Sequence, residues 1–484
     1  MALPQSCDVL VVGGGLAGMS CAIRGVEQGL DVVVLERGEE ELYACNSRYA
    51  NGFINIASEY IHSPPEKLRQ VIDKQTYGFA DPVLAQTLAD HAGQAILWLR
   101  AQGVRMVEIH GGSPIRRTVL APPPYNRPGL DWLNRGADRM MRALTASFTR
   151  QGGRLLRGVA AQELIMNDGR CTGLRAIARE DDSLVFNARA VVLADGGFQA
   201  NREMLRRYLS PAPEKLVQRN AKSGRGDGIR MALAVGAKVV GMDRFYGHCQ
   251  SRNAIENPLL WPYPVMDAPI TAGMVVDGNG QRFVDEGYGG VFVANAIAAL
   301  NDPLSTVAIF DEPTWQGVCT VVTRPPNPFV PMVGGTLHRA NTIQDLARLA
   351  GLPVPGLVRT VEEFNRAIRE NRLADLDIPR SDLPYKLPPI SAYTPEPIHR
   401  PPYYAVPLSA GITYTMGGIS IDGRCRVQRE EGGVIDGLYA AGSTTGGHEG
   451  GPRAGYTGGL SKALTFGWRA GNCIAETLRE TVSV

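Results

Sequence analysis

The eight cysteines of this 484-residue chain never fall into a pair. No Cys-x-x-Cys occurs, and Cys7, Cys21, Cys45, Cys171, Cys249, Cys319, Cys425 and Cys473 are scattered along the whole length. Such spacing argues against a zinc or iron–sulfur ligand set and against a disulfide framework, and it fits a reducing compartment. Charge of one sign is lacking too. Lys and Arg number 50 against 48 Asp and Glu, a formal net charge of +2, so composition gives no electrostatic case for nucleic acid. No stretch reaches the roughly 18–20 uninterrupted apolar residues of a membrane span. The first residues run almost directly into an apolar strand, without the basic region, apolar core and cleavage site of a secretory leader. Internal repeats and low-complexity tracts are also missing. The expectation is a soluble, cytoplasmic protein.

What is present is a large apolar fraction, 44%, together with 56 glycines and 33 prolines. That suits a loop-rich α/β enzyme. A chain this long carries two or more domains, or one discontinuous domain with an insertion.

The most informative stretch runs from Cys7 to Gly38. Asp8-Val9-Leu10-Val11-Val12 is a short apolar run, followed by Gly13-Gly14-Gly15-Leu16-Ala17-Gly18 and an Ala-containing helical stretch to about Gln28. A second apolar run, Asp31 to Leu35, ends on Glu36 and Arg37. Strand, glycine turn, helix, strand and acid make the pattern of a dinucleotide-binding unit. Gly13 permits the tight turn, Gly15 lets backbone approach a pyrophosphate, and Gly18 lets the helix lie close on the strand. The helix N-terminus offers free N–H groups to phosphate charge. Glu36 is suited to accept hydrogen bonds from ribose hydroxyls and to repel a 2′-phosphate.

Further along, the small polar stretch Tyr43 to Ala57, with Asn46, Ser47, Arg48 and Gly52, reads either as a loop wrapped around a cofactor or as ordinary surface loop. Residues 64–104 have helical apolar spacing. Ala121 to Gly129 is a Pro-rich loop, and 132–150 reads as a helix. Val159 to Ile177 reads as strands turning at Asn167-Asp168-Gly169. Ala190 to Phe198 is a buried strand ending in glycines (Ala194-Asp195-Gly196-Gly197), and Gly224 to Ala234 is a glycine turn opening a helix. From about Phe245 to Pro395 the pattern changes. Strand segments over Gly273 to Val284 give way to helices over Thr342–Leu349 and Val358–Arg372, with a Pro-rich run from Pro384 to Pro407. The chain then returns through Gly437 to Gly442 and a final helix from Gly459 to Leu478. The expected arrangement is a discontinuous Rossmann-like domain (1–244 and 397–484) with an inserted α+β capping domain (245–396).

Six stretches in order carry a resemblance. They are VVGGGLAGMSCAI, VVLADGGF, GRGDGIRMALAVGA, GQRFVDE, YTMGGISID, and GLYAAGSTTGG with GLSKALTFGWRAG. The chain resembles the flavoprotein family of fumarate reductases, succinate dehydrogenases, L-aspartate oxidases and 3-ketosteroid dehydrogenases. Its Asn46-Ser47-Arg48 loop is also similar to that of flavoproteins that dehydrogenate tricarballylate. The resemblance implies FAD. It places Gly13, Gly15, Leu16, Ala17, Gly18, Glu36 and Arg37 around the ADP half, with Ala194, Gly196, Asp227 and Gly228 near it. Asn46, Ser47 and Gly52 fall toward the diphosphate and flavin, and Gly442, Gly459 and Leu460 toward the flavin ring. A helix N-terminus there would stabilise the negative locus of reduced flavin. Asp195 departs from the family's usual Thr or Ser. Arg48 stands where covalently flavinylated members have His, which implies noncovalent FAD.

The resemblance also nominates substrate residues. His248 falls where fumarate reductases place a carboxylate-binding His, and Tyr414 replaces a second one. At the offset of their proton-donating Arg this chain has Gly290, with Tyr288 just before, so a plain fumarate reductase is not expected. Arg453 is the candidate substrate cation, or else a structural ion pair. His448 is a site residue or a loop anchor. Tyr414, Tyr456 and Tyr288 are donors or bases, or packing aromatics. The expected chemistry is hydride exchange between flavin N5 and a carbon–carbon bond beside a carboxylate, on a succinate- or tricarballylate-like substrate. A 3-ketosteroid-dehydrogenase-like enzyme on a bulkier ketone and a non-catalytic electron-transfer module are the alternatives. The electron acceptor is left open among oxygen, a quinone and a redox protein.

Overall fold

The computed structural model describes residues 6–109, 116–124, 127–178, 183–321, 325–381 and 395–480. His110, part of the Pro-rich loop around Tyr125, and residues 384–394 of the run from Pro384 lie outside the described residues. The chain opens with strand β1 (Ser6–Val12), helix α1 (Leu16–Glu27) and strand β2 (Val32–Glu36). Helices α2 (Pro65–Thr76) and α3 (Pro82–Ala101) come next, then strands β3 (Arg154–Arg157) and β4 (Ser183–Leu193). The middle of the chain carries β5 (Phe245–Ser251), α4 (Asp267–Ala272), α5 (Gly290–Ala298) and β6 (Val307–Asp311). The chain closes with β7 (Tyr403–Thr415), β8 (Val434–Ala440) and α6 (Gly459–Glu480).

Five of these strands form the parallel core of the larger sheet, in the order β8-β4-β1-β2-β3. Helix α1 packs on β1 and β2, and the strand interiors are continuous apolar runs: Val9 to Val12, Val32 to Leu35 and Val191 to Leu193 are all buried. The hairpin of Ala160–Asn167 and Arg170–Ile177 extends this sheet beside β4 and turns at Asp168, as its sequence suggests. Strand β8 returns to it some 240 residues after β4, pairing Leu438 with Val191 and Ala440 with Leu193. The domain is therefore discontinuous.

Close helix packing depends on absent side chains. A Cβ on Gly18 would lie 2.0 Å from the Gly13 carbonyl oxygen, and one on Gly467 of α6 would lie 2.2 Å from that of Ala17 in α1.

The second sheet is largely antiparallel and built around β7, which pairs with β5, β6 and the short strand His338–Ala340. A separate apolar cluster packs under it, including Met274, Val307, Leu357 and Phe364. A boundary at 396 cuts this sheet, because β7 lies beyond 396 and pairs with the middle of the chain. Several element limits also differ from the sequence reading. The helix expected over 132–150 starts at Gly136, the one expected at Val358 runs Val354–Arg369 behind Pro353, and Gly273 to Val284 holds only the strand Met274–Val276.

Candidate active site

Strand β1 lies between β2 and β4, and β4 lies beside β8. The glycine turns that follow β1 (Gly13 to Gly15), β4 (Gly196, Gly197) and β8 (Gly442) therefore meet at the carboxyl ends of adjacent parallel strands. In an open α/β sheet that edge is the binding crevice. The crevice is a cavity of about 290 Å³ lined by Gly13, Gly15, Leu16, Ala17, Glu36 and Arg37, with Asn46, Ser47, Ala194, Gly196, Asp227 and Gly442 also on its wall.

Glu36 is buried and accepts hydrogen bonds from the N–H groups of Gly14 (2.9 Å) and Gly38 (2.7 Å). Burial raises its pKa, and these two donors oppose the rise. Ser47 Oγ accepts from the Leu16 N–H at the start of α1 (2.9 Å). Arg37 pairs with Asp227 at 2.9 Å. Half-buried Asp195, on the cavity wall, accepts from the Gly228 N–H at 2.8 Å, and desolvation, with Asp227 nearby, lifts its pKa to about 6. A Cβ on Gly15 would have only Ser47 Oγ near it, at 3.5 Å, so backbone is open to a ligand there. Gly18 lines neither this cavity nor the next one; it serves helix–strand packing. The donor set and the glycine wall fit a dinucleotide.

A larger cavity of about 1100 Å³ adjoins the first, and Asn46, Ser47, Ser443 and Ala463 line both. Its wall includes Gly52, Gly459 and Leu460, and the candidates His248, Tyr288, Tyr414, Arg453 and Tyr456. The structure also brings in residues the sequence reading did not nominate: Tyr246, Tyr263, Trp261, Arg219, Arg117 and Lys74. His448 lines neither cavity. It is buried against Phe466, its Nε2 is 3.0 Å from Thr445 Oγ1, and burial, with Lys462 adding to it, drives its pKa well below the usual range.

Three tyrosines stand together on this wall. Tyr246 stacks on Tyr456 with centroids 4.0 Å apart and lies 5.4 Å from Tyr414. Burial raises the pKa of all three. Tyr414 donates to Glu449 Oε1 (2.9 Å), and that carboxylate is paired with Lys462 at 2.5 Å; Glu449 and Lys462 are both fully buried. The Gly459 N–H donates to Tyr456 Oη at 3.1 Å. His248 is engaged at both nitrogens, Nδ1 with Asp267 Oδ2 at 2.5 Å and Nε2 with Tyr246 Oη at 3.0 Å. Arg453 lies between two rings, its guanidinium carbon 4.1 Å from the Tyr77 centroid and 4.0 Å from that of Tyr288. Arg219 donates to Thr413 Oγ1 at 2.7 Å and to the Pro262 carbonyl at 3.0 Å. Arg48 is buried away from this cavity, bonded to Asp138 and to the Tyr43 carbonyl.

Comparison with known proteins adds to this geometry. Residues 8–459 match the family described as "FAD binding domain". The chain is similar to an NADH:fumarate oxidoreductase of Klebsiella pneumoniae (strain 342), 26% identical over 488 residues, with 99% of this chain and 48% of that protein covered. It is similar to a 3-oxosteroid 1-dehydrogenase of Mycolicibacterium smegmatis, 25% identical over 582 residues, with 98% of each chain covered. In fold it is similar to the 3-ketosteroid-Δ4-(5α)-dehydrogenase of Rhodococcus jostii RHA1, solved with 4-androstene-3,17-dione. That likeness has a TM-score of 0.71 at 23% identity, with 98% of both chains covered. The chain thus spans about half the length of the first of these relatives and nearly all of the other two. Among the described residues no helix is long and apolar enough to cross a membrane.

Proposed function

The chain belongs to the FAD binding domain family, a family of flavoproteins, and from that premise we propose that it is an FAD-dependent oxidoreductase. Its reaction in this reading exchanges a hydride with a carbon–carbon bond beside a carboxylate, on a substrate of the succinate or tricarballylate type. Bound FAD supplies the two-electron hydride acceptor or donor. Gly13, Gly15, Glu36 and the start of α1 hold the ADP half in the smaller cavity. Asn46 and Ser443, which line both cavities, would hold the flavin half, with Gly459 and Leu460 on the wall of the larger one.

The observation that carries the carboxylate is the charge of the larger cavity. Lys74, Arg117, Arg219 and Arg453 line it, against one carboxylate, Glu59, which is itself paired with Lys67 at 3.0 Å. Cations lining a cavity are what a carboxylate needs for charge-assisted hydrogen bonds. Arg453 is held in the corner between two perpendicular rings, Tyr77 and Tyr288, and has donors in this reading for the substrate carboxylate. The aromatic wall excludes water and holds the carbon skeleton.

The tyrosines favour a second reading. Tyr246, Tyr263, Tyr288, Tyr414 and Tyr456 all line the cavity. Such a wall suits a bulkier ketone of the 3-ketosteroid kind, with phenols donating to its carbonyl oxygen.

Anaerobic bleaching of the flavin's visible absorbance separates the two. The panel holds succinate, tricarballylate, citrate-like acids, aspartate and a 3-ketosteroid. Bleaching by one of the acids is the expected result. Bleaching by the steroid alone overturns the carboxylate reading in favour of the second.

A further inference from the structure

We propose that Tyr246 exchanges the proton with the substrate carbon, and that His248, held by Asp267, passes a proton between that phenol and solvent. The proposal rests on the hydride-exchange reading above and names the proton partner that reading needs.

Tyr246 and His248 stand two residues apart on β5, and both line the larger cavity. Asp267, at the start of α4, sits behind them and is 1% exposed. Its Oδ2 lies 2.5 Å from His248 Nδ1, and its Oδ1 accepts from the Cys249 N–H at 3.1 Å. A carboxylate on Nδ1 holds the proton on that nitrogen, which leaves Nε2 as the acceptor. Tyr246 Oη, 3.0 Å from Nε2, is then the donor. Space for the carboxylate is made by Gly290 in the next helix, where a Cβ would lie 2.0 Å from Asp267 Cγ.

The phenol oxygens of Tyr414 and Tyr456 have partners other than a histidine. Tyr414 gives its proton to Glu449, which is closed off by Lys462, both with no exposed surface. Tyr456 Oη receives a backbone N–H from Gly459. The Tyr288 ring lies against Arg453. Of Tyr246, Tyr414 and Tyr456, Tyr246 is the one bonded to a titratable side chain with exposed surface, His248, which is 16% exposed.

The groups facing Tyr246 are Tyr456, Tyr414, Tyr263, Arg219 and, through His248, Asp267. Burial, reinforced by Tyr456 and Tyr263 and opposed by Arg219, keeps its phenol well above the ordinary pKa. A free phenolate therefore does not stand ready at neutral pH. Tyr246 takes a proton only while handing its own to His248.

In the dehydrogenating direction the substrate Cα proton goes to Tyr246 Oη as the phenolic proton passes to His248 Nε2. The electron pair of that Cα–H bond becomes the new π bond, and the hydride of the neighbouring carbon leaves with its pair to FAD. The imidazolium, paired with Asp267, then loses one proton to solvent. Reduction runs the same steps backwards.

The test uses FAD-loaded protein and three chains: wild type, Tyr246→Phe and His248→Gln. Tyr246→Phe keeps the stacked ring and is expected to retain FAD and substrate affinity while flavin reduction slows about 10²- to 10⁴-fold. His248→Gln is expected to slow reduction and to shift its pH profile alkaline, because Tyr246 must then ionise alone. A second readout needs no turnover. The ¹⁵N imidazole spectrum of His248 is expected to show the Nδ1–H form, with the Nε2 signal moving in Tyr246→Phe.

A wild-type reduction rate in Tyr246→Phe overturns the proposal. So does His248→Gln that loses substrate affinity with an unchanged pH profile, which makes His248 a substrate ligand. If no compound bleaches the wild-type flavin, the reaction reading fails instead. The imidazole spectrum then decides the relay, and an Nε2–H form, or an Nε2 signal unmoved in Tyr246→Phe, overturns it.

Discussion

Asp267 and Gly290 share one space: the carboxylate of the first fills the volume that a side chain on the second would need, 2.0 Å from Cγ to an added Cβ. Position 290 stands at the offset where the family resemblance implies a proton-donating arginine. The site is closed to any side chain there, because the acid that backs His248 occupies it.

Gly290→Ala is expected to push Asp267 off His248. Overpacking of this kind costs about 1–3 kcal/mol. The melting temperature should fall and flavin reduction should slow together. An unchanged melting temperature would mean that the carboxylate steps aside freely.

Arg453 sits between Tyr77 and Tyr288. In Arg453→Ala the flavin should remain bound, while affinity for a carboxylate substrate falls about 10- to 100-fold, the loss of one charged hydrogen bond of roughly 1.5–3 kcal/mol. Arg453→Lys should recover only part, since an ammonium lacks the guanidinium's forked donors for a carboxylate. Equal affinity in all three proteins would remove Arg453 from the site.

Lys462 and Glu449 form a fully buried ion pair at 2.5 Å. Lys462→Met leaves the buried carboxylate without its counter-ion, and breaking such a pair costs about 3–5 kcal/mol. Urea unfolding at saturating FAD measures it. A loss below 1 kcal/mol would show that water reaches Glu449 once the lysine is gone.

Asp195 titrates at about 6 in the folded chain, above the ordinary carboxylate range, chiefly through desolvation. The folded state therefore holds this proton more tightly than the unfolded one. Between about pH 4 and 6 the folded chain binds more protons, so this group's contribution to stability falls as pH rises and then levels off. Asp195→Asn removes that penalty. Relative to wild type it should gain up to about 2–3 kcal/mol above pH 6 and little below pH 4. Melting curves of both apoproteins across that range test it, and a constant difference would contradict it.

Arg48 is tied to Asp138 and Tyr43 rather than facing the flavin cavity, and it is no nucleophile. Acid precipitation should therefore release yellow colour into the supernatant. Colour retained in the pellet would show a covalent link made by another residue.

The nucleotide half of the site was legible in the residues themselves. Gly13, Gly15, Gly18 and Glu36 follow one another in a short stretch whose apolar runs, helix and turns are each local signals. The turns at Ala194 to Gly197 and at Gly442 carry the same mark, and each ends a buried parallel strand. Sheet order then brings all three together. The substrate half was legible only as a set of residue types. Tyr246 has no distinguishing neighbour in the sequence, and it meets Tyr414 only because β5 pairs with β7. Arg219 reaches Thr413 by the same long-range packing. His448 lies close to Arg453 in the chain, yet it is turned into the core. A missing side chain at 290 is visible to anyone reading the chain, but the acid that fills its place is not. Short-range periodicity and glycine turns are written in consecutive residues. Which phenol, imidazole and carboxylate touch is decided by strand pairing and by the volume each leaves to the others.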